Sequence, residues 1–574
     1  MSSRIPLHPA TGLVAAALIL AACSKAPEPA PAVQAPATPA APAHAFSPEI
    51  NAADFGERVK ALASDEFDGR APGSTGEQKT VDYLKAQFEQ IGLKPGNGDS
   101  YFQTVPMVET TADESTVLKL DVNGKPRELR FGTDMVVGTT TGQAEVKVDS
   151  SELVFVGYGV NAPELGWNDY AGLDVKGKTV VMFVNDPGFH QQDPALFEGK
   201  RMTYYGRWTY KFEEAARQGA AAALIIHDTE GASYGWDVVK NSWSGAQFSL
   251  PAKDDPDPRL PAQGWITGDV ARSLLADLGQ DLDALYKAAG KKGFKPIPLK
   301  GTLSVDLKST IAEKSSRNVV AVLPGSKHPD ETVVYMAHWD HLGNHADANA
   351  ASSGEDHVYN GAVDNATGVA GILEIAEAFA KQNPAPERSV VFLAVTLEES
   401  GLLGSKYYVA HPTFPLAKTV AVINLDAMPV IGRAKDMTVV GYGSSELEDR
   451  LKAIAAEQGR TLTPEATPED GFYFRSDHFN FAKDGVPALY AKGGDDLVEG
   501  GAEAGHAAQR DYRDNRYHKP GDEYDPAWKM DGVVQDLQAL YGVGKQLTGG
   551  DQWPHWYQDN AFRAAEQKLR GAAK

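Results

Sequence analysis

Cysteine is nearly missing from this chain: Cys23 is the only one in 574 residues. A disulfide within the chain is therefore impossible, and any metal must be held without thiolates. Positive charge is also short, with 55 Lys and Arg against 77 Asp and Glu, a net charge of −22. Nucleic-acid affinity comes largely from Lys and Arg neutralising phosphates, so a nucleic-acid partner is set aside. Short metal-binding spacings of the C-x-x-C or H-x-x-x-H type carry no site here, and no internal repeat is visible. The N-terminal apolar run Gly12–Ala22 holds 11 residues, too few for the roughly 20 that span a bilayer. What remains is 42% hydrophobic and 23% charged, the balance of ordinary globular protein. The length predicts two or more domains.

The first residues read as a processing signal. Arg4 supplies a positive start, Gly12–Ala22 an apolar core, and Leu20-Ala21-Ala22-Cys23 closes it. That closure resembles the lipobox of bacterial lipoproteins. The resemblance implies a signal peptide over residues 1–22, lipidation of Cys23, and membrane contact only through that anchor. Ser24 after the cysteine implies outer-membrane retention facing the periplasm; without lipidation the protein is expected to be periplasmic or secreted. Residues 23–45 are Pro- and Ala-rich with few bulky apolar residues, which predicts an extended tether.

Further on, the Gly- and Ser-rich stretch Gly69–Gly76 precedes a helix with Val81, Leu84, Phe88 and Ile91 on one face and Gly92 as its stop. From 111 to 309, short β-type runs alternate with turns, and one helical segment, Lys211–Gly219, leads into AAAALIIHD. No cluster of His and carboxylates stands at metal-ligand spacing there, and His190 and His227 read as surface or core histidines. The pieces DVKGKTVVMFV and EEAARQGAAAALIIHD resemble the protease-associated domain inserted in several peptidase families. An α/β pattern resumes at Arg317–Pro324 and runs to a helix near Gly532–Leu547. The helices before 110 have no sheet of their own, so they are expected to pack on this later one. The expected organisation is a discontinuous domain, 46–110 and 310–550, with 111–309 inserted and 551–574 as a tail without an assigned role.

The chemistry gathers between Val333 and Asp426. Apolar runs Thr332–Ala337, Ser389–Val395 and Thr419–Leu425 are each followed by residues that bind metals or move protons: His338 and Asp340, Glu398 and Glu399, then Asp426. Asp364 sits just before the amphipathic helix Thr367–Lys381. In open α/β sheets ligands bind at the carboxyl ends of strands, so the pattern marks a site by position. With His518 of Tyr517-His518-Lys519-Pro520-Gly521-Asp522, two imidazoles and three carboxylates are available as ligands. That donor set suits catalytic Zn²⁺, with Mn²⁺ or Co²⁺ as substitutes. It is too large for one open catalytic ion and right for two ions sharing a carboxylate. His341, His345 and His357, in the Gly/Ala/Asn/Ser-rich loop His341–Asn360, read as loop histidines and not as ligands.

These motifs resemble the zinc peptidases of the M28 family, the group of co-catalytic aminopeptidases and glutamate carboxypeptidase. The resemblance covers the catalytic half and the segment GRAPGSTGEQ. It implies an α/β fold with a mixed central sheet and helices on both faces, plus the inserted β-rich protease-associated domain. It also implies two Zn²⁺ per chain, a peptide substrate, and hydrolysis at the peptide N-terminus. Carried over residue by residue, His338, Asp364 and Asp426 hold one ion, and Asp364, Glu399 and His518 the other. Asp340 orients His338, Glu398 is the general base, and Tyr517 stabilises the oxyanion. Ser476-Asp477-His478 resembles a family segment near the site and is not placed among the ligands. Arg475, Arg510, Arg513 and Arg516 near the last ligand keep a carboxypeptidase or dipeptidase of the same family open. A one-metal glutaminyl cyclase is disfavoured by the full ligand set, and a non-catalytic receptor-like relative by the presence of ligands and base.

Overall fold

The computed structural model describes residues 45–345 and 356–571. The expected signal peptide, Cys23, the tether up to residue 44 and residues 346–355 of the ligand loop lie outside the described residues. Among the described residues no helix is long and apolar enough to cross a membrane.

The central sheet is built on four neighbouring parallel strands in the order Arg388–Val395, His328–His338, Thr419–Asn424 and Ala488–Gly493. From Val333 to His338, and throughout the 388–395 and 419–424 strands, every residue is buried. That is why they read as unbroken apolar runs: a parallel sheet covered on both faces has no solvent side. Side chains still alternate between two cores, as strand geometry demands. Val333, Tyr335, Ala337, Phe392 and Ile423 face one core, and Val334, Met336, Leu393 and Val422 the other.

Helices Ala52–Leu62, Thr75–Ile91, Thr367–Ala380 and Asp531–Gly549 cover the first face. The second is covered by Leu403–Ala410, His478–Lys483 and part of the C-terminal tail, whose Trp556 and Phe562 are buried there. The tail thus has a packing role that its sequence did not suggest, and Trp556 Nε1 donates to the Gly485 carbonyl at 3.3 Å. The early helices join the later sheet through Phe55, Val59, Val81, Leu84 and Phe88, and Ile91 is half-buried at the end of the same face. The helix from Thr75 begins with Ser74 accepting from the Glu77 N–H, while Glu77 reaches back to the Gly73 N–H at 2.6 Å, a capping-box arrangement. Gly92 ends it at φ +91°, a left-handed position that glycine takes without steric cost.

A second sheet lies within 117–307. Its parallel strands Leu153–Phe155, Thr179–Phe183, Ala222–Ile226 and Ala262–Ile266 are sandwiched between two cores drawn from residues 118–307. The two sheets share one element that sequence reading left in pieces: Ile297–Leu323, a single strand of 27 residues. Its first part pairs within the second sheet, Ser309–Val319 pair with Phe102–Ala112, and Val319–Leu323 pair with the 388–395 strand. Ionic contacts add to this junction. Lys406 Nζ lies 2.6 Å from Asp255 and 2.9 Å from Asp257, and Lys483 Nζ lies 3.2 Å from Asp257.

Candidate active site

Register brings the strand ends level. His338 stands opposite Val395, and Met336 opposite Asn424, so His338, the Thr396–Glu399 turn and Asp426 open into one space. His338 Nε2 lies 3.2 Å from Asp364 Oδ1 and 3.5 Å from Asp426 Oδ1. His518 Nε2 lies 3.2 Å from Asp364 Oδ2 and 3.1 Å from Glu399 Oε2. Asp364 therefore faces one imidazole with each oxygen. The five ligand-type residues, spread over 181 positions of sequence, meet because three parallel strands deliver His338, Glu399 and Asp426 to one edge, where the turn before Thr367 adds Asp364 and the segment after helix Gly501–Asn515 adds His518.

Asp364 is fixed from behind. The main-chain N–H groups of Val363 and Asp364 both donate to the buried Asp522 carboxylate at 3.0 Å. Asn365 donates to the Leu425 carbonyl at 3.0 Å and accepts from Gly368 and Ala427, linking this turn to the one that carries Asp426. Gly368 allows that approach, since a Cβ there would stand 2.3 Å from the Leu425 carbonyl oxygen. The segment Asp364-Asn365-Ala366-Thr367-Gly368 is thereby explained as a backbone junction as well as a ligand carrier.

Asp340 departs in detail from expectation. Its carboxylate is 3.9 Å from His338 Nδ1, while the ring N–H donates to its main-chain carbonyl at 3.1 Å. The carboxylate instead accepts from the Glu398 N–H at 3.2 Å, so Asp340 holds the backbone of Glu398 with its side chain and the His338 ring with its main chain. Burial pushes Asp340 up to about 7. Burial also raises Glu398 well above the usual carboxylate range, His338 opposing and Glu399 and Asp426 adding to the rise. For Glu399 burial is overcome by His518 and His341, which hold it at about 2. Tyr517 stacks on His518 with ring centroids 4.0 Å apart, its phenol driven well up by burial and the nearby Asp364.

The reading of His341 as an ordinary loop histidine is corrected. It is 1% exposed, and its Nδ1 lies 2.6 Å from Glu399 Oε1. The burial that decides this comes from elsewhere in the chain. Arg70, buried, donates to the carbonyls of Leu62, Trp339, Asn360 and Gly361 and so clamps both ends of the ligand loop. No local pattern marks these two groups: Arg70 and Asp522 act through backbone that lies hundreds of residues away in one case and more than a hundred in the other. His345 and His357 meet instead in the loop's own ribbon, where the His345 N–H donates to the His357 carbonyl. Ser476 donates to the Asp426 carboxylate and Asp477 accepts from Ser405 at 2.6 Å. His478 is fully buried, and burial lowers it to about 3. This triplet thus holds the Asp426 carboxylate through Ser476.

The side chains fit divalent ions. His338, Asp364 and Asp426 form one set with ligand atoms mutually within 4.8 Å, and His338, Glu398 and Glu399 and then His341, Asp364 and Glu399 form others. Asp340, Asp364, Glu398, Glu399 and Asp426 crowd five carboxyl groups into one buried space. Such a concentration of negative charge out of water is stable only when protonated or matched by cations. Imidazole and carboxylate donors with no sulfur match zinc in a catalytic setting.

The sequence description Peptidase family M28 matches residues 318–541. Aminopeptidase NAALADL1 of Mus musculus is 31% identical over 258 residues, 37% of this chain and 32% of that protein. The glutamate carboxypeptidase 2 homolog of Caenorhabditis elegans is 34% identical over 309 residues, 49% of this chain and 37% of that one. The chain spans about a third of the length of these curated relatives. Among solved structures, an aminopeptidase from Aneurinibacillus sp. strain AM-1 has a TM-score of 0.47 and 21% identity, covering 87% of this chain and 94% of that one. His338, Asp364, Glu399, Asp426 and His518 all lie inside the segment, residues 318–541, that matches Peptidase family M28.

Proposed function

We propose that this protein is a di-zinc aminopeptidase. The observation that carries the reading is Asp364, with Oδ1 toward His338 and Oδ2 toward His518. His338, Asp364 and Asp426 would hold one ion, and Asp364, Glu399 and His518 the other. Zinc held there would supply Lewis acidity for the scissile carbonyl and lower the pKa of an attacking water. Glu398 takes the proton of the attacking water and delivers it to the departing amine nitrogen. Its main chain is held by Asp340, so the carboxyl can work while its backbone stays fixed. Tyr517 donates its phenol proton as a hydrogen bond to the carbonyl oxygen as charge develops on it. Aminopeptidase is the activity printed in the name of the murine relative.

The test uses the purified protein with zinc content measured alongside hydrolysis of N-acetylated, C-amidated and unblocked short peptides. The expected result is two zinc ions per chain, activity abolished by chelation and restored by Zn²⁺, and cleavage that requires a free N-terminus. Equal cleavage of acetylated peptides would remove the aminopeptidase assignment.

A second reading, a dipeptidase or carboxypeptidase of the same family, is favoured by one observation. Arg207, from the 111–309 segment, and Arg475 lie close enough to Glu398 and Tyr517 to act on them electrostatically. Among the described residues neither guanidinium has a hydrogen bond or ion pair, and Arg207 Nε is buried without a partner. One cation near Glu398 and another near Tyr517, in a chain of net charge −22, suit a substrate carboxylate near the scissile bond. Arg207→Met is then expected to raise KM for peptides with a free C-terminal carboxylate by about tenfold or more, the size of one charge-assisted hydrogen bond. The amidated peptides should be unaffected; an equal change for both would remove this reading.

A further inference from the structure

We propose that His341 is a positioning residue for Glu399, holding Oε1 so that Oε2 is presented to the second cation. The proposal rests on the two-ion reading of the site and concerns a residue that reading does not use.

A carboxylate has two oxygens and can rotate about its terminal bond, so a single-oxygen ligand needs something to fix its plane. Glu399 Oε2 is turned toward His518 at 3.1 Å, in the direction of Asp364 Oδ2. Oε1 is turned toward His341 Nδ1 at 2.6 Å. An ionised carboxylate only accepts, so Nδ1 carries the proton and donates it.

The ring that makes this bond is itself confined. The His341 main-chain N–H donates to the Arg70 carbonyl at 3.3 Å. Gly361 is in contact with one side of the imidazole: a Cβ there would stand 2.5 Å from His341 Cδ2 and 2.6 Å from Cγ. The His518 ring lies edge to face with it at 5.7 Å. Gly361 is in turn clamped through its carbonyl by Arg70. One histidine is thus packed in place by a glycine, an arginine and the neighbouring ligand, and spends its proton on the ligand oxygen that faces away from His518. Partners of this kind tune metal affinity through the ligands they orient.

Placement also allows a different role, since His341, Asp364 and Glu399 can bring ligand atoms within 4.8 Å of one another. The two roles separate by substitution. Asn at 341 can offer an amide N–H close to where Nδ1 donates, but it lacks the imidazole lone pair of a ligand. We would titrate Zn²⁺ into full-length wild-type protein, His341→Ala and His341→Asn against a competing chelator, reading both binding steps. His341→Ala should weaken the second ion about 10–100-fold and leave the first within twofold, the unchanged first step showing an intact fold. His341→Asn should recover most of that loss. Wild-type binding by His341→Ala, or a His341→Asn as weak as the alanine variant, overturns the proposal. Should the alanine variant fail to fold, the asparagine variant alone decides by the same criterion. A wild-type protein that binds no second ion would instead count against the two-ion reading itself.

Discussion

Glu398→Gln is expected to keep both zinc ions and lose turnover, with kcat down by about 10²–10⁴-fold, the range of a positioned general base. The amide matches the carboxyl in size, and the contact that anchors residue 398 is its main-chain N–H on Asp340, which the substitution leaves intact. The change therefore removes proton acceptance with little disturbance of the surrounding ligands. Burial and the charges of Glu399 and Asp426 raise the proton affinity of Glu398, with His338 opposing, and a cation bound beside it would oppose that rise. Zinc stoichiometry and steady-state kinetics on the same preparation check the prediction. Retained turnover within tenfold of wild type would assign the base to another group.

Arg58→Met is expected to destabilise the protein by about 3–5 kcal/mol, the usual effect of breaking a buried ion pair by removing one partner. Arg58 and the Glu374 carboxylate are both fully buried and in direct contact, and a second guanidinium nitrogen lies 3.0 Å from Glu377. The pair joins the helix Ala52–Leu62 to the helix that follows Asp364. Burial already pushes Glu374 up to about 7, with Arg58 opposing. Without Arg58 its folded-state pKa rises further above its unfolded value, so the folded variant binds more protons than the unfolded chain. Stability then falls as pH rises, and the defect should be larger at pH 9 than at pH 5. Urea unfolding at the two pH values measures it; a loss below about 1 kcal/mol, or one larger in acid, contradicts the assignment.

The ligands on strand ends were legible because a covered parallel strand is an apolar run, and His338, Glu398, Glu399 and Asp426 each stand where such a run stops. The helix from Thr367 was legible from its period, and the end of the Thr75–Ile91 helix from Gly92, while its start at Ser74 falls inside the stretch Gly69–Gly76 that reads as a turn. Residues that work through distant backbone were not. Arg70, Asp522 and His341 owe their roles to carbonyls, N–H groups and a glycine supplied by other parts of the chain, and no local pattern encodes that. Arg207 was missed because its surroundings read as a separate module, and the strand Ile297–Leu323 because its polar middle pairs as a ribbon beyond the buried sheet.

The packing of the first two helices on strands far downstream has a consequence during synthesis. Phe55, Val59, Val81, Leu84 and Phe88 share a core with Val333, Tyr335, Ala337, Val390, Phe392 and Ala394. A ribosome adding about 5–20 residues per second reaches those strands roughly 10–60 s after the helices emerge. Through that interval the helices have no sheet to cover them, while 117–307, with cores of its own, can already condense. A nascent chain arrested near residue 320 should therefore expose the apolar face of its N-terminal helices beside a protease-resistant middle, a natural point for a chaperone to bind.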